Sequence, residues 1–280
     1  MIVNPSTFEL ESRIGVGQHP HSCAIGHDDR YLYVSNWGSR SISIIDTVKK
    51  RRVRDITVGL RPNDLTIGPD GRLFVACSGD NTVHVIQTKI LEQPGADPSP
   101  ARRLWEGARE VISTSIYPQS PEGSTPVGVA VSPDAKTLFV ANADNNAVAV
   151  IDISNSISEE ARRNRESVSV VEGFIPVGWY PTAVAVSPDN KTLFVANGKG
   201  LMSRPNYPDQ APSPRKLQRG PAFDYVAKVF SGSVSFIARP TAEQMVSYTE
   251  QVRKNSPFAN FSVWSFFPFS SKSSNEESIA

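Results

Sequence analysis

Pro126-Val127-Gly128-Val129-Ala130-Val131-Ser132-Pro133-Asp134-Ala135-Lys136-Thr137-Leu138-Phe139-Val140-Ala141-Asn142, followed by Ala147-Val148-Ala149-Val150-Ile151-Asp152, is one copy of a pattern that occurs four times in this chain of 280 residues. The same words begin at Pro20, Pro62 and Pro181. Tyr31-Leu32-Tyr33-Val34-Ser35-Asn36, Leu73-Phe74-Val75-Ala76-Cys77 and Leu193-Phe194-Val195-Ala196-Asn197 then follow at a near-constant offset from those prolines. Every piece is of strand length and is bounded by turn residues.

Within a copy the first strand is rich in small residues: Cys23-Ala24-Ile25, Leu65-Thr66-Ile67, Val129-Ala130-Val131 and Val184-Ala185-Val186. A turn follows each time at Asp28-Asp29, Pro69-Asp70-Gly71, Pro133-Asp134-Ala135 or Pro188-Asp189-Asn190, where Pro presets one dihedral and Asp, Asn or Gly supplies the rest. The second strand is apolar on both faces, as a strand buried on both sides must be. The third alternates large with small, and the fourth, as in Arg52-Val53-Arg54-Asp55-Ile56, is the most charged and suits an outer rim. It ends in Val58-Gly59 or Val177-Gly178, where the glycine is expected to let the chain turn inward.

A period of about 40 residues built only from short strands is that of a β-propeller blade. The fold class is therefore all-β, with four-stranded antiparallel blades and a short C-terminal helix. Strands are expected near 22–26, 31–36, 41–46 and 52–58 in the first full blade. Blade two covers about 62–117, blade three 126–177 and blade four 181–238, after one leading strand over 8–16. The repeats occupy 1–240, a short amphipathic helix 241–257 and an irregular, poorly ordered tail 258–280.

Net charge is +1, which leaves no electrostatic footprint for nucleic acid. No apolar run approaches the roughly 18 residues of a membrane span, and Met1 to Pro5 lack the basic and apolar regions of a secretory signal. Cys23 and Cys77 occupy different blade positions, so they read as two small buried thiols and not as a disulfide. A Gly-x-Ser-x-Gly elbow, a phosphate loop and a Cys-x-x-Cys pair are all missing from the sequence, and no cofactor is implied.

Two insertions interrupt the copies. Leu91 to Arg102 reads as a surface loop. Leu201 to Phe223 holds five prolines with Arg204, Arg215, Lys216 and Arg219, and projects from one face as a site for a partner. After the last copy, Pro240 and Thr241-Ala242-Glu243-Gln244 start a capped helix with Met245, Tyr248 and Val252 on one face. Phe261 to Phe269 is aromatic-rich without a period.

The residues before the repeat prolines, His19, Arg61, Thr125 and Tyr180, are expected to face the mouth of the central channel, followed there by His21, Asn63, Val127 and Thr182. They vary in chemistry while the scaffold around them repeats, which makes them either plain surface or a binding face for a small molecule or a protein. His19-Pro20-His21 could open a metal site, but it lacks a third and fourth ligand, and the plainer reading is a loop histidine beside a structural proline. The recurrent Asp46, Asp152, Asp70, Asp134 and Asp189 close strands or build turns, so no catalytic residue is assigned.

The repeat words resemble the YVTN family of bacterial β-propellers over residues 8 to 238. The Asn197-Gly198-Lys199-Gly200 stretch, the Pro-rich insertion, Gly232-Ser233-Val234-Ser235-Phe236-Ile237 and Asn255-Ser256-Pro257 look like a subgroup. There, a YncE-like propeller precedes an alkaline-phosphatase-like phosphoesterase domain. That resemblance implies seven blades in an intact member, a fragment here, a periplasmic or extracellular location, and catalysis in a domain outside this chain. It leaves two functional expectations open, a non-catalytic binding or scaffold module and a lactonase-like hydrolase working at the channel mouth.

Overall fold

The computed structural model describes residues 1–88, 108–117, 123–155, 168–201 and 231–256. The first copy forms β3 (Pro20–Ile25), β4 (Tyr31–Asn36), β5 (Ser41–Asp46) and β6 (Arg51–Thr57), each antiparallel to the strand before it. Ahead of it, β1 (Ile2–Val3) pairs with β2 (Leu10–Ser12). The leading strand expected over 8–16 is thus only Leu10–Ser12, because Phe8 turns back with φ 59 and donates its amide to the Asn4 carbonyl.

The second blade is β7 (Pro62–Ile67), β8 (Arg72–Cys77), β9 (Thr82–Gln87) and β10 (Ala108–Ser113), and the third is β11 (Pro126–Val131), β12 (Thr137–Asn142), β13 (Ala147–Asp152) and β14 (Val170–Pro176). The fourth holds three strands among the described residues, β15 (Pro181–Val186), β16 (Thr192–Asn197) and β17 (Ser233–Ala238). In every blade the register slips just after the first proline, at Pro20/Cys23, Pro62/Leu65, Pro126/Gly128 and Pro181/Ala183. Proline brings no N–H to the ladder there, and the extra residue bends the inner strand.

The all-β architecture is that of a propeller whose core lies between blades. Tyr33, Ile42 and Ile44 of blade one meet Leu65, Leu73 and Val75 of blade two. Phe74 and Val85 of blade two meet Val129, Leu138 and Val140 of blade three. Phe139, Val148 and Val150 of blade three meet Val184, Leu193 and Val195 of blade four. Tyr33, Phe74 and Phe139 of the second strands thus pack toward the next blade, and Leu73/Val75, Leu138/Val140 and Leu193/Val195 toward the previous one. Arg72 adds a polar tie, donating to the carbonyls of Ala135 (3.2 Å) and Ile153 (3.1 Å) one blade on.

Blade four reaches its expected bound of 238 with β17, since Pro240 cannot continue the ladder and α1 (Ala242–Asn255) begins at once. Thr241 and Gln244 form the expected reciprocal cap, with Gln244 N–H donating to Thr241 Oγ1 at 3.3 Å and Thr241 N–H to Gln244 Oε1 at 3.0 Å. The helix packs back on β14, where the Phe174 amide donates to Thr249 Oγ1 at 2.9 Å and Val252 is 2% exposed.

Cys23, expected in the core, is exposed, whereas Cys77 is buried and its thiol pKa is driven up by that burial. The Cys23 counterparts Leu65, Val129 and Val184 are each covered by a preceding blade, and among the described residues Cys23 has none. The glycines of the Val-Gly words serve close approach and not left-handed turning. A Cβ on Gly59 would lie 2.5 Å from Asp80 Oδ2, and one on Gly178 2.6 Å from the Gly200 carbonyl, while the positive φ falls two residues later. The 91–102 loop, the 202–223 part of the Pro-rich insertion and the 258–280 tail lie outside the described residues.

Candidate functional site

His19, Arg61, Thr125 and Tyr180 have φ of 50, 54, 52 and 58, so one left-handed kink recurs before every repeat proline. A positive φ is uncommon for a residue with a Cβ, and the proline ring disfavours it further. The kink is held by a two-bond clamp from the turn between second and third strands. The carbonyls of His19, Arg61, Thr125 and Tyr180 accept from the amides of Trp37 (3.0 Å), Ser78 (3.0 Å), Ala143 (3.0 Å) and Gly198 (2.8 Å). The preceding carbonyls of Gln18, Leu60, Ser124 and Trp179 accept from Gly38, Gly79, Asp144 and Lys199. The previous blade braces the kink as well, since Asn81 Oδ1 accepts from Ser124 N–H (2.9 Å) and Asn146 Oδ1 from Tyr180 N–H (2.8 Å).

These bonds use only backbone of the kinked residue and leave its side chain out of the clamp. The sequence-predicted residues fall into three groups there. His19 and Arg61, from different blades, converge on Trp37: the imidazole meets the indole edge-on at 6.2 Å, and the Arg61 guanidinium lies 5.2 Å from the ring centre. Tyr180 carries the Lys199 ammonium at 4.5 Å from its ring centre. Thr125 hydrogen-bonds the Asp144 carboxylate. Trp37 and Lys199 escaped sequence reasoning because the turns that carry them differ in every copy, and only the cation-over-ring contacts reveal them.

The inner residues are tied into the scaffold. His21 Nδ1 lies 3.1 Å from the Asn63 carbonyl oxygen, which also accepts from Ser35 Oγ at 3.0 Å, while Asn63 Oδ1 accepts from Ser78 Oγ at 2.7 Å. Thr182 Oγ1 donates to the Ala196 carbonyl at 3.2 Å. His19 and His21 have separate contacts, with Trp37 and Asn63, and no group of three or more His, Cys, Asp or Glu is placed to hold a metal among the described residues. The nearby carboxylates already serve structure: Asp80 accepts from Leu60 N–H (2.8 Å) and Thr82 Oγ1 (2.7 Å), and Asp144 from Thr125. The arrangement offers cations laid over aromatic faces, suited to an anionic or planar ligand, and no carboxylate free for acid–base work among them.

Asp64, on the inner strand of blade two, ties three blades together. Its carboxylate accepts from Ser22 Oγ of blade one at 3.2 Å and from Val129 N–H of blade three at 3.1 Å. The recurrent turn carboxylates are structural as expected: Asp70, Asp134 and Asp189 each accept from the amide two residues on. Ser132 and Ser187 hydrogen-bond Asp134 and Asp189 and hold both carboxyls below the usual carboxylate range.

A family model described as WD domain, G-beta repeat matches residues 59–87, the start of blade two and its linker. Antigen Lp49 of Leptospira interrogans (serogroup Icterohaemorrhagiae, serovar copenhageni) is 24% identical over 149 residues, which is 48% of this chain and 28% of that protein. The crystal structure of a candidate 6-phosphogluconolactonase from Bacteroides uniformis is 15% identical with a TM-score of 0.50, and the match covers 64% of this chain and 47% of that one. The chain thus spans under a third of its curated relative and under half of the solved structure. Together with the repeats, these likenesses make the chain a β-propeller repeat protein.

Proposed function

We propose that this chain is a non-catalytic binding or scaffold module whose blade ends hold an anionic ligand or an acidic partner segment. The single observation that carries the reading is the recurrent left-handed kink at His19, Arg61, Thr125 and Tyr180, which spends backbone strain at a blade position whose side chain differs in every copy. The insertion that carries Arg204, Arg215, Lys216 and Arg219 in sequence begins after Gly200, beside the turn that clamps Tyr180. In the finer reading, supported by the motif resemblance, the chain is the propeller part of an exported propeller–phosphoesterase protein, with the chemistry done elsewhere. The genomic sequence on either side of the reading frame tests that part.

The second reading, a lactonase-like hydrolase, has one observation in its favour, the fold likeness to the candidate 6-phosphogluconolactonase. One experiment separates the two. The full chain is titrated with 6-phosphogluconate while Trp fluorescence is followed, and is assayed on 6-phosphogluconolactone and a nitrophenyl phosphate with and without divalent metal. The binding reading expects a Trp37-dependent signal weakened about tenfold or more by Arg61→Ala, without turnover. Turnover abolished by His19→Ala or Arg61→Ala replaces it with the hydrolase.

A further inference from the structure

We propose that the junction of blades one and two holds an oxyanion, a phosphate or carboxylate group, on the Arg61 N–H and the guanidiniums of Arg40 and Arg61. The inference comes from one break in the repeat. The last residue of the turn between second and third strands is Arg40 in blade one, Asn81 in blade two and Asn146 in blade three, left-handed each time with φ of 52, 57 and 51. Their carbonyls do the same work, accepting from the amides of Val58 (2.9 Å), Thr114 (2.9 Å) and Val177 (3.0 Å). Their side chains do not. Asn81 Oδ1 accepts from the Gly123 (3.3 Å), Ser124 (2.9 Å) and Thr125 (3.2 Å) amides of blade three, and Asn146 Oδ1 from the Tyr180 N–H of blade four at 2.8 Å. Arg40 stands where blade two would receive the same acceptor, and a guanidinium only donates. The Arg61 N–H, counterpart of the Thr125 and Tyr180 amides, therefore has no acceptor among the described residues.

A donor in place of an acceptor changes what the junction can receive. Successive amides gathered round one oxygen, as at Asn81, are the means by which backbone takes up an oxyanion, and in blade two only a ligand oxygen can complete the set. Among the described residues no carboxylate pairs with Arg40 or Arg61, and neither side chain makes a hydrogen bond. The Arg61 guanidinium lies over Trp37, and its Cγ and Cδ would each be 3.2 Å from a Cβ on Gly79, so the bare glycine admits its stem. Burial lowers the His84 pKa first, Asp80 opposes it and Arg40 adds to the lowering, which places the Arg40 charge beside blade two. Asp80 is the carboxylate that works against an anion here. Its oxygens already accept from Leu60 N–H (2.8 Å) and Thr82 Oγ1 (2.7 Å), and two guanidiniums against it leave the junction positive. Arg40, Leu60 and Arg61 are all exposed, so the site is open to solvent, and arginine is the side chain that matches phosphate and carboxylate geometry. The inference rests on the anion-binding reading above and narrows it to one junction.

The full chain is titrated with inorganic phosphate and, separately, with acetate at fixed ionic strength, and the thermal midpoint is followed for wild type, Arg40→Lys and Arg40→Asn. Arg40→Asn installs the residue that blades two and three carry at this left-handed position, so the fold is kept and the Arg61 N–H gains an internal acceptor. The expected result is a saturable rise of the midpoint in wild type, kept in part by Arg40→Lys and weakened about tenfold or more in apparent affinity by Arg40→Asn. The general stabilising action of phosphate is common to all three chains and cancels in the comparison. A rise with phosphate alone assigns the group as a phosphate, and one with acetate alone as a carboxylate. An equal rise in Arg40→Asn, or none in wild type with either anion, overturns the subsite. If 6-phosphogluconate then still gives an Arg61-dependent Trp37 signal, the binding reading stands and only its placement at Arg40 falls, whereas loss of that signal too removes both.

Discussion

Two strands of this protein have the same sequence, Thr-Leu-Phe-Val-Ala-Asn, and different fates. As Thr137–Asn142 in blade three it is buried at all six positions, and as Thr192–Asn197 in blade four only Leu193, Val195 and Asn197 are buried. Intrinsic preference is identical in the two, so the difference lies wholly in the neighbours. Among the described residues blade three has a blade on either side, whereas blade four has one on its Leu-Val face alone. A repeat sequence specifies a half-junction, and burial is decided by whether the other half is present.

The sharpest way to break the comparison is to truncate the shared phenylalanine twice. Phe139→Ala should cost about 3–5 kcal/mol in urea unfolding, as a buried aromatic does, while Phe194→Ala should cost less than half of that. Equal costs would mean that blade four is covered by something in the single chain. Next in size is the glycine on the inner strand. A Cβ on Gly128 would sit 3.0 Å from Ala183 Cα and 3.2 Å from the Thr182 carbonyl, both backbone, so Gly128→Ala should cost about 1–3 kcal/mol. The equivalent position in blade four is already Ala183, which is exposed among the described residues. A neutral Gly128→Ala would show that the junction of blades three and four yields more readily than its packing implies.

How far the sequence could be read follows the same division between what a repeat says and what its neighbours do. The blades, their strands and the capped helix were legible because alternation, Pro-Asp turns and the Thr241/Gln244 box are local signals. The exposure of Cys23 was not, since its word is that of a core position and only the missing partner undoes it. The packing of α1 on β14 was equally hidden, because a hydrophobic stripe over Met245 and Val252 names no recipient. At the blade ends, the four kinked residues were found from repeat variation, but their common φ and the Trp37 and Lys199 contacts belong to turns that share no word.

Smaller effects test the edges of the comparison. Thr241→Ala removes one half of the helix cap and should cost about 1 kcal/mol, read as loss of protection in the α1 amides by hydrogen exchange. The smallest concerns pH. Asp134 in blade three and Asp189 in blade four both have carboxyl pKa values lowered first by a serine hydroxyl, then opposed by desolvation in Asp134 and aided by the Lys191 amide in Asp189. A lowered folded pKa means stability that is present above the unfolded carboxylate range and lost as pH falls through the folded value. Acid unfolding of Asp134→Asn and Asp189→Asn should therefore be slightly less steep than wild type below about pH 4. A steeper response would reverse the assigned sign.

The clamp at the blade ends also makes the protein writable. Its hydrogen bonds run through the carbonyls of residues 18 and 19, 60 and 61, 124 and 125, and 179 and 180, and through amides of the facing turns. None of them depends on what side chain the kinked residue bears. Any residue that tolerates a left-handed backbone, asparagine most readily, can stand at 19, 61, 125 or 180 without disturbing the junctions beneath. Stability is thereby stored in backbone atoms, so the side chains at these four positions can be exchanged while the propeller below them is left as it is.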